Sequence, residues 1–245
     1  MPEEAALSHF AKRAEGYNRS ARWVQDAALI RRIRDWSEAG PNAEVLDLAT
    51  GTGMLAASFR GRVRRIVGFD LSPEMTRLGP DAWDQLVIGT AELLPFADAS
   101  FDACVCRQGL QFMELDRALP QIRRVLRPGG RAVFCHLTAY GETDKEAAFH
   151  IQRLRNPARR NFFLPEDFPR LMREHGFKEV ETADYFSRES VAQWSDHGAI
   201  GEERMAGIRE AYRSASEEFR RLHEVEFQDG DILETMKLVL VRARA

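Results

Sequence analysis

The stretch Val45-Leu46-Asp47-Leu48-Ala49-Thr50-Gly51-Thr52-Gly53-Met54-Leu55 decides the fold. An apolar run ends in an acid, breaks at a glycine-rich turn and gives way to a helical pattern. Further on, Ile66-Val67-Gly68-Phe69-Asp70-Leu71-Ser72 is a second apolar run that ends in a second acid. Strand, glycine turn, helix and strand make the first half of a nucleotide-binding β-α-β unit. Gly51 and Gly53 let the backbone approach a ligand where a side chain would obstruct it. The helix that follows, over 53–59, offers free amides and the positive end of its dipole to a phosphate or a carboxylate alike. Asp70, ending the second strand, is placed to accept hydrogen bonds from both hydroxyls of a ribose.

Outward from that unit the chain alternates. Strand-like runs at 44–49, 65–70, 85–89, 101–106 and 131–137 are separated by helix-like segments at 53–59, 73–78 and 115–126. In the last helix Leu119, Ile122, Val125 and Leu126 form one apolar face. The rhythm predicts an α/β fold, a mostly parallel sheet with helices on both faces. Right-handed crossovers then bring the ends of the first two strands to one crevice. Ahead of the sheet, Leu7, Phe10 and Ala14, then Trp23, Ala27, Ile30, Ile33 and Trp36, recur at helical spacing around a break at Gly16-Tyr17-Asn18. Residues 1–43 therefore read as an N-terminal helical arm. Beyond 137 come a basic stretch, a short helix over 165–175, a strand over 178–186, a helical pattern over 190–226 and a last strand over 236–243. The organisation expected is a single domain, 1–245. Its ligand-binding core is 44–137, with 138–164 and 187–228 as lid or insertion segments.

Composition narrows the partners. Apolar residues make up 44% and charged residues 30% of the 245, with a formal net charge of -3. No bulk charge draws such a chain to nucleic acid or to an anionic membrane. No apolar run is long enough to span a bilayer. The acidic start Met1-Pro2-Glu3-Glu4 lacks the basic and apolar regions of a secretion signal, so a cytoplasmic location is expected. Cys104, Cys106 and Cys135 sit in strand-like runs and read as reduced core residues, not as a disulfide frame or a zinc knuckle. No His and Asp cluster at ligand spacing argues for a metal.

The glycine turn followed by Asp70 also satisfies a dinucleotide fingerprint, the mark of an NAD(P)-dependent oxidoreductase. Asp47 turns the reading, because a carboxylate facing the turn repels a pyrophosphate and favours a cationic amino group. Further landmarks follow: Gly89-Thr90-Ala91-Glu92-Leu93-Leu94-Pro95-Phe96, then Ser100-Phe101-Asp102, then Val125-Leu126-Arg127-Pro128-Gly129-Gly130. In order and spacing, from about Val45 to Leu137, the chain resembles class I S-adenosylmethionine-dependent methyltransferases. The resemblance is to the branch with the ubiquinone and menaquinone C-methyltransferases and many small-molecule O- and N-methyltransferases. Ala49 stands where the family often has the first glycine of Gly-x-Gly-x-Gly.

The resemblance implies a Rossmann-like fold with a seven-stranded sheet whose last two strands pair antiparallel. It implies S-adenosylmethionine as cofactor and S-adenosylhomocysteine as product. Asp47 and the turn Ala49, Thr50, Gly51 and Gly53 would hold the methionine portion, Asp70 the ribose, and Leu71 with Met75 the adenine. Ala91 through its backbone and Glu92 through its side chain would read the adenine edge. Arg107 or Gln108 would touch the cofactor by backbone, with Gln111 beside the sulfonium. A non-catalytic protein that only binds this cofactor shares these features and is the other alternative.

Methyl transfer from a sulfonium needs alignment and exclusion of water, with a base only for some acceptors. His136 is the candidate base, either facing the crevice or packed between sheet and helix; His150 and His197 lie in the insertions. Tyr17 and Trp23 in the arm either close over the cofactor or acceptor or simply pack. The basic run with Arg153, Arg155, Arg159 and Arg160 is either a solvated helix face or a clamp for an acidic acceptor. Phe162 and Phe163 either line an apolar pocket beneath that clamp or anchor the lid. The acceptor expected is a small molecule, and the protein a monomer or homodimer that binds no nucleic acid.

Overall fold

In the computed structural model the described residues are 2–79, 81–195 and 198–245. Three helices precede the sheet: α1 (Pro2–Arg13), α2 (Arg22–Gln25) and α3 (Ala27–Trp36), with a 3₁₀ turn, Ala14–Arg19, after α1. Asp26 starts α3 by accepting from the N–H groups of Ala28 and Leu29 at 2.8 and 3.1 Å. Leu29, Ile30 and Ile33 then face the core.

The chain next alternates as the sequence predicts. Strands β1 (Glu44–Leu48), β2 (Arg65–Asp70) and β3 (Gln85–Ile88) are linked by the one-turn helices α4 (Met54–Ala57) and α5 (Pro73–Thr76). After β4 (Phe101–Arg107), helix α6 (Leu115–Val125) buries Ala118, Leu119, Ile122 and Val125, and β5 (Leu126–Leu137) follows. The rest is α7 (Lys145–Arg155), α8 (Asp167–Glu174), β6 (Lys178–Ser190), α9 (Val191–Ser195), α10 (Glu202–Ser214), α11 (Glu217–Leu222), β7 (Glu226–Gln228) and β8 (Asp231–Arg244).

The strands lie in the order β3-β2-β1-β4-β5-β8-β6, with β7 beside β8. The pairs from β3 to β5 are parallel, while β8 runs antiparallel to both β5 and β6. Among the described residues the sheet has eight strands, one more than the seven expected. The extra one is short β7, at the end of the stretch read as helical over 190–226, where no strand was expected. The insertion expected at 187–228 begins with strand, since β6 runs on to Ser190. Val45, Val105 and Val133 point to one apolar layer and Leu46, Cys104 and Phe134 to the other, so the central strands are covered on both faces. All three cysteines are buried thiols.

The helix expected over 53–59 is a single turn. Ser58 Oγ donates to the Leu55 carbonyl at 2.7 Å and Gly61 takes a positive φ, which ends it early. So short a helix has little dipole to offer, which removes that part of the anion-binding argument.

Candidate active site

The carboxyl ends of β1, β2 and β4 open into one cleft. Parallel strands flanking the point where the chain order reverses leave such a crevice, β1 being the strand from which neighbours run in both directions. Its floor is the glycine turn. Ala49 and Gly51 have φ of 55° and 56°, in the left-handed region that side chains disfavour. A Cβ on Gly51 would meet nothing closer than Met75 Cε, at 3.4 Å. Gly53 is different: a Cβ there would lie 2.2 Å from Ala82 Cβ and 2.6 Å from the Trp83 ring, so its bareness serves packing beneath the cleft.

Asp70 ties the turn to β2. Its Oδ2 accepts from Gly51 N–H at 2.7 Å and its Oδ1 from Ser72 N–H at 2.8 Å. Burial pushes its carboxyl upward while these two N–H groups oppose the shift. Each oxygen keeps a further lone pair for a ligand. Leu71 and Met75 line the cleft beside it, with Ala91, Glu92, Arg107 and Gln108 across from them. Tyr17 lines it from the arm.

Three expected cofactor residues do not reach the cleft wall. Asp47 is buried below the turn and accepts from Thr50 Oγ1 at 2.6 Å; burial pushes its carboxyl up to about 7. It is therefore a brace for the loop, and Thr50 is its partner. Gly53 is the third, for the packing reason just given. Glu92 does line the cleft, but its carboxylate is bonded to Thr90 Oγ1 and to Glu114 N–H, so it organises two loops. Arg107 lines the cleft as well, and its guanidinium donates to the carbonyls of Trp23 and Val24 at 3.1 and 2.9 Å, bolting down the arm.

A small inner chamber adjoins the cleft and shares Phe10, Tyr17, Gln108 and Phe112 with it. Trp23, Gln111, Arg155 and Arg159, all expected to touch substrate, meet there. Arg155 and Arg159 are not a solvated helix face: Arg155 stacks on Trp194, 4.2 Å from the ring centroid, and Arg159 lies over Phe162 at 5.3 Å. Phe162 itself packs against Phe149 and lines neither space, and Phe163 is a core residue tilted against Phe168. Those two residues anchor the segment.

His136 is fully buried between Phe163 and Phe168 and touches neither space. Burial, with Arg159 nearby, holds its imidazole down to about 3. It is no base for an acceptor. Its Nδ1 meets Gln111 Oε1 at 3.0 Å and Gln111 Nε2 donates to Gln108 Oε1 at 3.2 Å, so it supports the pair of glutamines behind the chamber. His150 is exposed on α7, and His197 lies outside the described residues.

Sequence reasoning expected Tyr17 and Trp23 of the arm at the site but missed the contribution of α1. Leu7, Phe10, Arg13 and Tyr17 recur at helical spacing and together wall the two spaces. Phe10 meets Phe112 edge-on with ring centroids 5.0 Å apart. The spacing was visible; that this stripe faces a ligand space and not the core was not. Among the described residues no cluster of His, Cys, Asp or Glu could hold a metal ion, and no helix is long and apolar enough to cross a membrane.

Sheet order, the inserted antiparallel β8 and the cleft over β1 define the Rossmann-like fold of class I methyltransferases, distinct from the all-parallel sheet of a dinucleotide dehydrogenase. The fold matches the YcgJ protein of Bacillus subtilis with a TM-score of 0.81 at 22% identity, covering 88% of this chain and 97% of that one. It matches geranyl diphosphate C-methyltransferase of Streptomyces coelicolor with a TM-score of 0.62 at 15% identity, covering 89% and 78%.

Residues 46–134 match the family model described as "Methyltransferase domain". A malonyl-[acyl-carrier protein] O-methyltransferase of Erwinia pyrifoliae is 31% identical over 166 residues. That match covers 66% of this chain and 63% of the relative, so the chain spans less than two thirds of that protein's length.

Proposed function

We propose that the chain is an S-adenosylmethionine-dependent methyltransferase for a small-molecule acceptor, working as one domain, 1–245, in the cytoplasm. The observation that carries this is Asp70, a carboxylate at the end of β2 that grips Gly51 N–H with lone pairs left over the cleft. The residues suit the cofactor. Phe69, Leu71 and Met75 give the cleft an apolar wall for a flat ring. Bound there, the cofactor supplies a methyl group on a sulfonium.

Asp70 would bind the ribose, Leu71 and Met75 the adenine, and the backbone at Ala49 and Gly51 the methionine end near Tyr17. Leu7, Phe10 and Phe112 close the space and keep water from it. Alignment of acceptor and methyl for in-line displacement then falls to Tyr17, Gln108 and Gln111, which meet where cleft and chamber adjoin. With His136 withdrawn, no histidine of this site serves as base, so the reading favours an acceptor atom already nucleophilic at neutral pH.

Calorimetry tests the reading. S-adenosylhomocysteine should bind and raise the melting temperature, whereas NAD(P)H should do neither. Tight product binding with no transfer of labelled methyl to any of a broad acceptor panel would favour the non-catalytic alternative.

A further inference from the structure

Among the described residues that line it, the inner chamber has three arginines and no acid. Arg13 and Arg155 are 3% and 7% exposed, and Arg159 reaches in beside them. Among the described residues none of the three pairs with a carboxylate. Arg13 donates to Ser20 Oγ at 3.3 Å, Arg155 to the Trp194 carbonyl at 2.9 Å and Arg159 to the Asn161 carbonyl at 2.9 Å. All of these acceptors are neutral. Burial pushes Arg159 down to about 9 and lowers Arg13 and Arg155 too, the latter further repelled by its two neighbours. The same field reaches His9, held down to about 3 by burial and by Arg13 and Arg155.

The unpaired atoms point the same way. Arg13 Nε, Trp23 Nε1, Arg155 Nη2 and Asn156 Nδ2 are buried on residues of this one chamber and have no hydrogen-bond partner. All are donors. The Asn156 amide is oriented by its Oδ1, which accepts from Ala158 N–H at 3.0 Å. Among the described residues lining the chamber no side-chain acceptor is left unpaired in this way. Folded proteins satisfy buried donors and pair buried cations, so a cluster that does neither is completed by what it binds.

We infer that the inner chamber seats an oxyanion of the methyl acceptor, a carboxylate or a phosphate, between Arg13, Arg155 and Arg159. The rest of the acceptor runs past Tyr17 and Gln108, which line both spaces. Guanidinium groups suit this ligand because their paired N–H donors match two oxygens at once. The inference rests on the methyltransferase reading, which makes the chamber's neighbour the cofactor cleft.

The test uses the full chain saturated with S-adenosylhomocysteine, at constant ionic strength. Benzoate is compared with benzamide, and phenyl phosphate with phenol, by calorimetry and thermal shift. At least one anion should bind about tenfold more tightly than its neutral counterpart, and the better of the two names the oxyanion. Arg155→Met and Arg159→Met, which keep the stem volume, should each weaken that anion by about tenfold while shifting S-adenosylhomocysteine affinity less than about twofold. Their unchanged cofactor affinity also reports that they fold.

Equal affinity for anion and neutral partner, no binding of any probe, or variants that bind the anion as the wild type does would overturn the proposal. So would an equal loss of S-adenosylhomocysteine affinity, which would give the arginines to the cofactor's own carboxylate. A wild type that binds no S-adenosylhomocysteine removes the underlying reading instead. The anion series repeated on cofactor-free protein still decides whether the chamber takes an oxyanion.

Discussion

Asp70 and Ala49 show how single residues set this site. Asp70→Ala removes the acceptor for Gly51 and Ser72 N–H as well as the expected ribose contact. S-adenosylhomocysteine affinity should fall by about 1–3 kcal/mol, the scale of hydrogen bonds to a charged group. Unchanged affinity by calorimetry would remove Asp70 from the cofactor site. Ala49 stands at φ 55°, a conformation that costs an L-residue about 1–2 kcal/mol. Ala49→Gly relieves that strain but frees the unfolded chain, so a gain of up to about 1 kcal/mol is expected in denaturant unfolding. Gly53→Ala has the opposite sign. Positive φ and the approach of Ala82 and Trp83 both penalise a Cβ, and a loss of about 2 kcal/mol or more should appear in the same assay. These positions were legible in the sequence as a pattern of glycines and acids. Their division of labour was not, because spacing alone does not tell a carboxylate aimed at a ligand from one turned under its own loop, as Asp47 is.

At the scale of elements, the arm is the part whose purpose sequence left open and packing explains. Periodicity gave its helices, and α/β alternation gave the sheet, because both signals are local. The chamber was harder to foresee, since it joins Arg13 from α1, Gln108 after β4 and Arg155 from α7, residues distant in sequence. What holds the arm is a set of polar ties. Thr52 Oγ1 donates to Asn18 Oδ1 at 2.6 Å, Glu189 accepts from the N–H groups of Arg22 and Trp23, and Arg107 reaches the carbonyls beyond. Arg107→Met keeps the stem but removes the last of these. Amides in 14–25 should then exchange with solvent faster than in the wild type, with slower change in the sheet. Cofactor affinity should weaken with it, because Tyr17 and Phe10 belong to the same arm. Unaltered exchange in 14–25 would mean that the remaining ties suffice and that Arg107 is no bolt.

Across the whole molecule, one buried cluster joins the two insertions to the sheet. His223, following α11, meets Asp144 Oδ2 at 2.9 Å and Glu234 Oε2 at 3.0 Å; Asp144 precedes α7 and Glu234 lies on β8. Tyr212 Oη donates to Glu234 as well, and Asp144 accepts from Tyr140 and Gly141 N–H. Burial lowers the imidazole's basicity, but the two carboxylates outweigh it and raise its pKa from 6.5 to about 9. A histidine raised on folding contributes stability that is fully present below about 6.5, its unfolded value, and is lost as pH climbs through 9. Above that, two carboxylates face a neutral ring in a buried setting. Unfolding free energy should therefore decline between pH 6.5 and 9.5, by up to about 3 kcal/mol from this group. His223→Gln should be less stable than the wild type at pH 6.5, and the gap should narrow toward pH 9.5. If instead the two curves run parallel, the imidazole is neutral throughout and the cluster is a plain hydrogen-bonded knot. Because the same cluster fixes α7, which carries Arg155, the wild type should also lose acceptor-side anion binding over that pH range sooner than it loses S-adenosylhomocysteine binding at Asp70.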